Sequence, residues 1–340
     1  MKYIKKLPDV DELIKEYSLN EIQLKKRQEC IHNIEQILKG TDKRKLVLIG
    51  PCSADREDAV VDYVSRLAGL QEKVSDRFLI IPRVYTSKPR TNGMGYKGLV
   101  HQPYLKNGHD DLWTGVIATR KMHVHVIRET GMFCVDEMLY PESIYYILDI
   151  LAYVTVGARS VEDQAHRMAA SGIRLPVGMK NPMSGDTTAL LNSISAAQHS
   201  HSMMYRGWEV ATEGNMYAHA VLRGYIDNSG KAKPNYHYED LCEFYDKYRK
   251  FNLKNMGVVI DCNHSNSNKN HTEQIRISRE IIDLCNKSNA INDFVKGFMI
   301  ESYIEDGAQM IGGGIYGKSI TDSCLGWNKT EKLLLELAEN

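Results

Sequence analysis

The sequence predicts an α/β fold, a (β/α)8 barrel of the TIM type, with an N-terminal helical extension and an inserted β-hairpin after the sixth strand. Short runs rich in Val and Ile recur along the chain, as expected for parallel strands that are buried on both faces. Amphipathic stretches long enough for crossover helices lie between most of these runs. No GxGxxG motif follows a strand, so a dinucleotide-binding fold has no support.

The first 44 residues are predicted to form an extension outside the barrel, which then occupies residues 45–340. Residues 9–39 have the pattern of a polar amphipathic helix that breaks near Ser18–Asn20 and ends before Gly40. Because this segment precedes the first strand, we expect it to pack on the barrel or on another subunit, with a regulatory role as an alternative use.

Eight strands are predicted, at Lys45–Gly50, Phe78–Pro82, Phe133–Glu137, Val154–Ala158, Val177–Lys180, Met203–Arg206, Val258–Cys262 and Gly297–Glu301. The predicted crossover helices include Glu57–Gln71, Leu112–Thr130, Ser143–Leu151, Ser160–Ser171, Thr188–His199 and Thr272–Lys287. Between the sixth and seventh strands, turn signals at 212–215 and 227–230 flank a predicted hairpin over Ala218–Ile226.

The composition is that of a globular protein with a full core, because 43% of the residues are hydrophobic and 25% are charged. The formal net charge of zero argues against nucleic acid as the partner. No run approaches the ~18 apolar residues of a membrane span and no leader pattern begins the chain, so we predict a cytoplasmic protein. Seven scattered cysteines with no CxxC pair argue against a disulfide framework and against a structural zinc finger, and Cys52 is the one that is singled out below.

The stretch Ile80–Lys97 is the strongest local signal of function. It leaves the second predicted strand and carries four cations, Arg83, Lys88, Arg90 and Lys97. No Asp or Glu occurs anywhere from Arg77 to His109. Cations gathered without counter-charges repel one another unless an anion neutralises them. The alternative to an anion site is a basic loop that is simply exposed to solvent. The cations at the other strand ends, described next, favour the anion site.

The carboxyl ends of the strands form the active site in barrels of this kind, and the residues there fall into two sets. The first set is cationic and contains Arg83, Lys88, Arg90, Arg159, Lys180 and Arg223. Cations from several strand ends indicate a ligand with several negative charges, such as two phosphates or a phosphate and a carboxylate.

The second set combines a thiol, an imidazole and two carboxylates: Cys52, His264, Glu301 and Asp322. This mixture of donors suits a divalent transition ion such as Mn, Fe, Co or Zn. A nucleophilic Cys52 with His264 as its base is the competing interpretation. The two carboxylates favour the metal.

Long motifs cover the chain from about Lys45 to its end: GPCSAD at 50–55, PRVYTSKPRT at 82–91, GARSVEDQAHRMAASG at 157–172, PVGMKN at 176–181, DCNHSNSNK at 261–269, IESYIEDGAQ at 300–309 and YGKSITDSCLGW at 316–327. With these motifs the sequence closely resembles the type I 3-deoxy-D-arabino-heptulosonate 7-phosphate (DAHP) synthases. The resemblance implies a barrel enzyme that condenses phosphoenolpyruvate with erythrose 4-phosphate, releases phosphate and uses a divalent metal.

The resemblance also implies a role for each matching position. The metal ligands fall on Cys52, His264, Glu301 and Asp322. The phosphoenolpyruvate contacts fall on Arg83, Lys88, Arg159, Lys180 and Arg223. Arg90 and Thr91 would hold the phosphate of erythrose 4-phosphate. Apart from the resemblance, our mechanistic hypothesis is that Lys88 protonates the aldehyde oxygen, because it lies between the two anion sites. In the same hypothesis, Glu137 or a water held by the metal activates the water that attacks C2.

The resemblance further implies a homodimer or homotetramer that an aromatic amino acid inhibits. It would place the subunit contacts and the inhibitor site at the extension and at the hairpin region 209–238. Two loops depart from the family pattern, NGMGY after KPRT and PMSGD after PVGMKN. Neither departure replaces a predicted ligand, and we expect both to reshape the loops beside the erythrose phosphate and the carboxylate. Two alternatives stay open: a related synthase that uses another phosphosugar, such as arabinose 5-phosphate, and a non-catalytic relative that keeps the barrel.

Overall fold

The computed structural model describes residues 1–90, 93–104 and 109–339. Its strands are β1 (Lys45–Gly50), β2 (Phe78–Pro82), β3 (Val135–Glu137), β4 (Tyr153–Val156), β5 (Val177–Lys180), β6 (Ser202–Tyr205), β7 (Trp208–Ala211), β8 (Ala218–Leu222), β9 (Tyr225–Ile226), β10 (Ala232–Lys233), β11 (Val258–Asp261) and β12 (Val295–Glu301). Eight of them form one sheet in the order β2-β1-β12-β11-β8-β5-β4-β3. A parallel bridge between Arg83 and Val135 joins its two edges, so the predicted (β/α)8 barrel is confirmed.

The helices of the described residues are α1 (Val10–Glu16), α2 (Glu21–Lys39), α3 (Glu57–Val74), α4 (Leu112–Thr130), α5 (Pro141–Ile144), α6 (Gln164–Gly172), α7 (Thr187–Gln198), α8 (Tyr238–Lys250), α9 (Glu273–Lys287), α10 (Asn289–Phe294) and α11 (Trp327–Glu339). The predicted helix over Ser143–Leu151 is wrong. After the short α5 the chain continues in tight turns, with Ile147 N donating to Ile144 O and Ile150 N to Ile147 O, both at 3.0 Å. Arginines from neighbouring segments take the carbonyls of Tyr146, Leu148 and Leu151 instead, so tertiary contacts replace the helical bonds here.

The predicted sixth strand, Met203–Arg206, is also wrong. Residues 202–205 form β6, which pairs antiparallel with β7 in a hairpin outside the barrel. The side chains of Met204 and Trp208 are 90% and 73% exposed, as an excursion from the barrel surface allows.

The true sixth barrel strand is β8, which is entirely buried and pairs parallel with β5 and β11. Its range lies inside the hairpin predicted over Ala218–Ile226, so that hairpin is wrong, and the inserted β6–β7 hairpin comes before the sixth barrel strand. The polar His219 obscured the signal of a two-sided apolar strand. Inside the core, His219 Nε2 pairs with the Tyr153 hydroxyl at 2.7 Å, which makes its burial tolerable.

The N-terminal segment breaks where the sequence predicted, between α1 and α2. A capping box between Asn20 and Gln23 starts α2, and Gly40 ends it with a left-handed φ of 84°. Arg27 reaches from α2 to the turn that precedes β4, where its Nε donates to Leu151 O at 2.7 Å. This contact places α2 across the amino ends of the barrel strands. The division of the chain at residue 44 stays a prediction.

The ends of β1 and β2 approach closely at Gly50, which brings the two segments that carry Cys52 and Arg83 together. A Cβ atom at Gly50 would lie 2.1 Å from the carbonyl oxygen of Arg83, so no larger residue fits. Across the residues that the structure describes, no helix combines the length and the apolar character that crossing a membrane requires.

Candidate active site

A cavity of about 300 Å³ opens at the carboxyl ends of the barrel strands. Nearly every site residue that the sequence predicted lines it, as expected for this fold. Its lining includes Cys52, Arg83, Lys88, Arg90, Glu137, Arg159, Lys180, Met183, Arg223, Ile226, Ala232, His264, Lys269 and Asp322. Glu301 is fully buried directly behind it, at the end of β12. Thr91 lies outside the described residues.

Arg83 forms the floor of the cavity, and its side chain is held on three sides. Its Nη1 donates to Pro51 O at 2.8 Å, and its Nη2 lies 2.8 Å from Glu301 Oε1. The guanidinium also stacks 3.9 Å from the ring centre of Tyr85. Burial opposes the charge, but Glu301, Tyr85, Cys52 and Asp261 together outweigh it and raise the pKa of Arg83.

Lys180 and Arg223 project from neighbouring strand ends and are both buried. Lys180 Nζ lies 3.3 Å from Asp261 Oδ2 and 5.5 Å from the ring centre of Tyr85. Despite its burial, the tyrosine and the Asp261 carboxylate raise the pKa of Lys180, so the amine is charged. Arg223 behaves differently, since burial lowers its pKa. Arg159 stands at the exposed mouth of the cavity.

Cys52, Glu301 and Asp322 form a cluster in which one ligand atom of each residue lies within 4.8 Å of the others. Glu301 Oε1 accepts no aligned hydrogen bond from a described residue, whereas its Oε2 accepts one from Asn263 Nδ2 at 2.6 Å. Burial alone would raise the pKa of Glu301, but Arg83 and His264 lower it to about 2. A buried, ionised carboxylate beside a thiol and a second carboxylate matches the donor set of a metal site, although Arg83 Nη2 already lies 2.8 Å from the Oε1 atom of Glu301.

His264 faces this cluster from the loop after β11, where its backbone adopts a left-handed φ of 51°. Its Nε2 lies 3.9 Å from Glu301 Oε1, and its Nδ1 lies 2.8 Å from Asp261 Oδ2. A carboxylate on one ring nitrogen is the usual way to orient the other nitrogen towards a metal. Burial lowers the pKa of His264, which favours the neutral imidazole that a metal requires.

Lys88 connects the cationic set with this cluster, because its Nζ donates to Cys52 Sγ at 2.9 Å. Burial opposes the ammonium, yet Cys52 and Glu301 raise the pKa of Lys88. Burial likewise raises the pKa of the Cys52 thiol. No described hydrogen bond joins Cys52 to His264, so the geometry gives a nucleophilic Cys52 no base and disfavours that interpretation.

The basic loop after β2 divides between the cavity and the surface. Arg90 lines the cavity and is braced by a hydrogen bond of 2.7 Å from its Nε to Tyr96 O. Lys97 instead pairs with Asp110 at 2.7 Å. The cationic lining of the cavity is therefore built by part of the loop together with distant strand ends.

Sequence reasoning missed three residues at this site: Tyr85, Asp261 and Lys269. The Tyr85 ring lies beside both Arg83 and Lys180, and Asp261 pairs with both Lys180 and His264. Lys269 lines the cavity, and its Nζ lies 3.2 Å from Asp322 Oδ1. Asp261 and Lys269 belong to the motif DCNHSNSNK, but their orientation depends on the turn that follows β11.

Glu137 reaches the cavity from β3 because Gly157 leaves room for it. A Cβ atom at Gly157 would lie 2.6 Å from Glu137 Oε1. The neighbouring Asp136 points the other way and accepts hydrogen bonds from Thr86 N at 3.0 Å and Thr86 Oγ1 at 2.6 Å. Asp136 thus fixes the start of the basic loop, whereas Glu137 faces the cavity.

Comparison with known proteins gives a consistent result. The family model of the DAHP synthetase I family matches residues 21–335. The chain is 38% identical over 313 residues to the Trp-sensitive phospho-2-dehydro-3-deoxyheptonate aldolase of Shigella flexneri, covering 90% of this chain and 86% of that protein. It is 34% identical over 348 residues to the phospho-2-dehydro-3-deoxyheptonate aldolase of Corynebacterium glutamicum, covering 98% and 91%.

Solved structures agree. The phospho-2-dehydro-3-deoxyheptonate aldolase of Francisella tularensis superposes with a TM-score of 0.92 at 32% identity, over 100% of this chain and 98% of that one. The enzyme of the same name from Thermotoga maritima shares the fold, with a TM-score of 0.60 at 15% identity over 88% of this chain and 69% of that one.

Proposed function

This chain belongs to the DAHP synthetase I family, and we propose that the two residue sets at its strand ends bind the substrates and a metal for the reaction of that family. The enzyme is a phospho-2-dehydro-3-deoxyheptonate aldolase, or DAHP synthase, which catalyses the first step of the shikimate pathway. Phosphoenolpyruvate, erythrose 4-phosphate and water give DAHP and phosphate. The observation that carries the assignment of roles is a group of buried cations, incompletely neutralised by the protein, around one cavity.

Phosphoenolpyruvate would bind to Arg83, Lys88, Arg159, Lys180 and Arg223. Arg223 supports this role because none of the described carboxylates lies within ion-pair distance of it. Arg83 supports it because its buried Nε has no acceptor among the described residues. Donors held rigid in a buried site bind a carboxylate and a phosphate without first reorganising.

Erythrose 4-phosphate would place its phosphate at Arg90 and Thr91, beyond Lys88. Lys88 then lies between the two anions, close to the aldehyde. The fixed Arg90 side chain supports this arrangement, because its hydrogen bond to Tyr96 O leaves the remaining guanidinium donors for a phosphate.

A divalent metal fits Cys52, His264, Glu301 and Asp322, because the ligand atoms of Cys52, Glu301 and Asp322 lie within 4.8 Å of one another and Asp261 orients the imidazole of His264. We propose Mn, Fe, Co or Zn, because the thiol and imidazole favour a transition ion over Mg or Ca. When bound, such an ion supplies Lewis-acid polarisation of the aldehyde oxygen.

The residues of the chain account for the remaining steps. The cations hold phosphoenolpyruvate so that its C3 forms a bond to the aldehyde carbon, while Lys88 gives a proton to the aldehyde oxygen. Water adds to C2 and loses a proton to Glu137, which among the described residues of the lining is the one carboxylate outside the metal set. The new C2 hydroxyl then gives its proton to the departing phosphate as the bond between C2 and the phosphate oxygen breaks, so that C2 becomes a ketone and phosphate leaves.

The test is phosphate release from phosphoenolpyruvate plus erythrose 4-phosphate, measured with EDTA, without it, and after Mn²⁺ is restored. We expect turnover that the chelator removes and the metal recovers. Turnover indifferent to EDTA would contradict the metal assignment and return Cys52 and His264 to the nucleophile hypothesis. A parallel assay with arabinose 5-phosphate separates the alternative substrate, for which we expect a far lower rate.

We also propose that an aromatic amino acid inhibits the enzyme, as the name of the Trp-sensitive relative from Shigella flexneri indicates for that protein. A second cavity of about 470 Å³ lies between the β6–β7 hairpin and the end of α6. Its lining includes Glu35, Tyr145, Arg174 and Glu213, so it offers a ring contact and charges of both signs.

Exposed apolar residues of the β6–β7 hairpin and of the N-terminal segment support our proposal that the chain assembles into a homodimer or homotetramer.

Titration with phenylalanine, tyrosine and tryptophan tests the inhibitor proposal. We expect inhibition by at least one of them that Arg174→Ala weakens, with the turnover of the uninhibited enzyme unchanged. Inhibition that is equally strong in the variant would place the inhibitor elsewhere. The oligomeric state follows from the molar mass in solution.

A further inference from the structure

Arg223 has an unusual partner for a buried arginine. It is 6% exposed, yet its side chain pairs with no carboxylate of the residues that the structure describes. Its partner is a thioether: Nη1 lies 3.3 Å from the Sδ atom of Met183. Arg83, in the same cavity, pairs instead with the carboxylate of Glu301 at 2.8 Å.

The backbone holds Met183 in register with Arg223. Arg223 N donates to Asn181 Oδ1 at 2.8 Å, and Asn181 Nδ2 donates to Gly224 O at 2.9 Å. Two residues further on, Ile226 N donates to Met183 O at 2.9 Å. The loop after β5 and the segment after β8 are therefore joined as one unit, and the thioether contact is a built feature of that unit.

A thioether suits an arginine that must stay both oriented and charged. Sulfur is a weak, neutral and polarisable acceptor, so it can align the guanidinium without neutralising it. A carboxylate in the same place would compete with an anionic ligand for the charge. A hydrocarbon would leave the guanidinium unaligned and buried without a partner, which is costly.

We propose that Met183 is a positioning residue that aligns Arg223 for phosphoenolpyruvate. The inference rests on the proposed function, because it takes Arg223 as a contact of that substrate. Met183 also belongs to the PMSGD departure, and its direct contact with Arg223 agrees with the expectation that this departure reshapes the loop beside the substrate carboxylate.

The test compares Met183→Leu with Met183→Gln. Leucine keeps the volume and removes the acceptor, whereas glutamine is more polar but restores an acceptor. We expect Met183→Leu to raise the KM for phosphoenolpyruvate about three- to tenfold, in line with the loss of a hydrogen bond to a charged group. We expect kcat and the KM for erythrose 4-phosphate to change less than twofold, as an order of magnitude for an uninvolved step.

Met183→Gln should recover most of the loss. A packing role predicts the reverse order, with leucine tolerated and glutamine harmful, and that order would overturn the proposal. The matched control is Met310→Leu, at a methionine that is 85% exposed and is not among the residues that line the cavity. It should leave all kinetic constants unchanged.

Arg223→Lys separates this inference from the proposed function. If Arg223→Lys weakens phosphoenolpyruvate binding in calorimetry without the second substrate, but Met183→Leu does not, only the positioning role is wrong. If Arg223→Lys itself leaves phosphoenolpyruvate binding unchanged, the contact assignment fails and the role of Met183 fails with it.

Discussion

The two ends of the barrel both bury positive charge, but they satisfy it differently. At the amino end the buried Arg27 and the partly buried Lys45 donate to backbone carbonyls. Arg27 donates to Leu151 O at 2.7 Å and Leu148 O at 3.0 Å, and Lys45 Nζ donates to Asn292 O at 2.5 Å. These contacts fasten α2 and the start of β1 to neighbouring segments, and they leave little for a ligand.

At the carboxyl end the buried cations retain unused donors. Arg223 pairs only with a thioether, and the Nε atom of Arg83 has no acceptor among the described residues. The anions there are incomplete as well, since Glu301 Oε1 lacks an aligned hydrogen bond. Incomplete pairing lowers the stability of a fold, so its concentration at one rim indicates ligands that complete it.

Lys296 is the exception at the amino end. It is 6% exposed, and the structure gives its amine no hydrogen bond to another described residue. Burial lowers its pKa from the ordinary value of 10.5 to about 8. Unlike the cations of the carboxyl rim, Lys296 can lose its charge. It therefore tests directly whether an unpaired buried cation at the amino end is neutralised by deprotonation, whereas those at the carboxyl end await a ligand.

The largest expected effect belongs to Cys52→Ala. We expect kcat to fall at least about a thousandfold, because loss of Lewis-acid polarisation removes several kcal/mol of transition-state stabilisation. Metal content by mass spectrometry should fall with it, while circular dichroism stays native. The matched control is Cys285→Ala, a buried cysteine at the amino end, which should keep its kinetics. Full activity and full metal content in Cys52→Ala would refute the ligand assignment.

Lys180→Met comes next. We expect the KM for phosphoenolpyruvate to rise roughly 10- to 100-fold, since a charge-assisted contact is lost and Asp261 loses its counter-charge. The counterpart Lys45→Met should leave KM unchanged and lower the free energy of unfolding by about 1–3 kcal/mol, because two carbonyls lose their donor. An equal rise of the KM in both variants would contradict the distinction between ligand-binding cations at the carboxyl end and structural cations at the amino end.

Arg120→Ala tests a cation that serves attachment only. Arg120 pairs with Asp149 at 2.7 Å and donates to Tyr17 O at 2.9 Å, between α1 and α2. We expect the free energy of unfolding to fall by about 2 kcal/mol, less than for a fully buried pair because Asp149 is partly exposed. Urea unfolding measures the loss, and faster proteolysis of residues 1–44 should accompany it. Unchanged stability would mean that these bonds contribute nothing net.

The smallest effect is the pH dependence introduced by Lys296. Its pKa of about 8 in the folded state lies below 10.5, so the unfolded chain binds more protons between these values. Stability contributed by this group is therefore present above pH 10.5 and is lost as the pH falls through about 8. Lys296→Met should be more stable than the parent near neutral pH, and its advantage should shrink as the pH approaches 10. A difference that stays constant over this range would show that the lysine is not perturbed.

Much of the molecule was predictable from the sequence, because its signals are local. Seven of the eight predicted barrel strands overlap strands of the observed sheet. The break near Ser18–Asn20 was also readable, since capping and the left-handed glycine at 40 depend on neighbours in the chain. Residue types at strand ends could be assigned to one rim because parallel strands share a direction.

What only the tertiary structure decided depends on contacts between distant segments. The strand Ala218–Leu222 is one example, because its polar His219 is stable in the core through its hydrogen bond with the Tyr153 hydroxyl, which is distant in the sequence. The turns after α5 replaced a predicted helix because Arg27 and Arg120 take the carbonyls there.

The sequence likewise did not reveal which side chain each cation contacts. Arg83 meets Glu301, Lys97 meets Asp110 and Arg223 meets Met183, pairings that follow from the closure of the barrel and the course of its loops. The chemistry of the site is therefore encoded residue by residue, whereas the distribution of unpaired charge arises only when the strand ends are brought together.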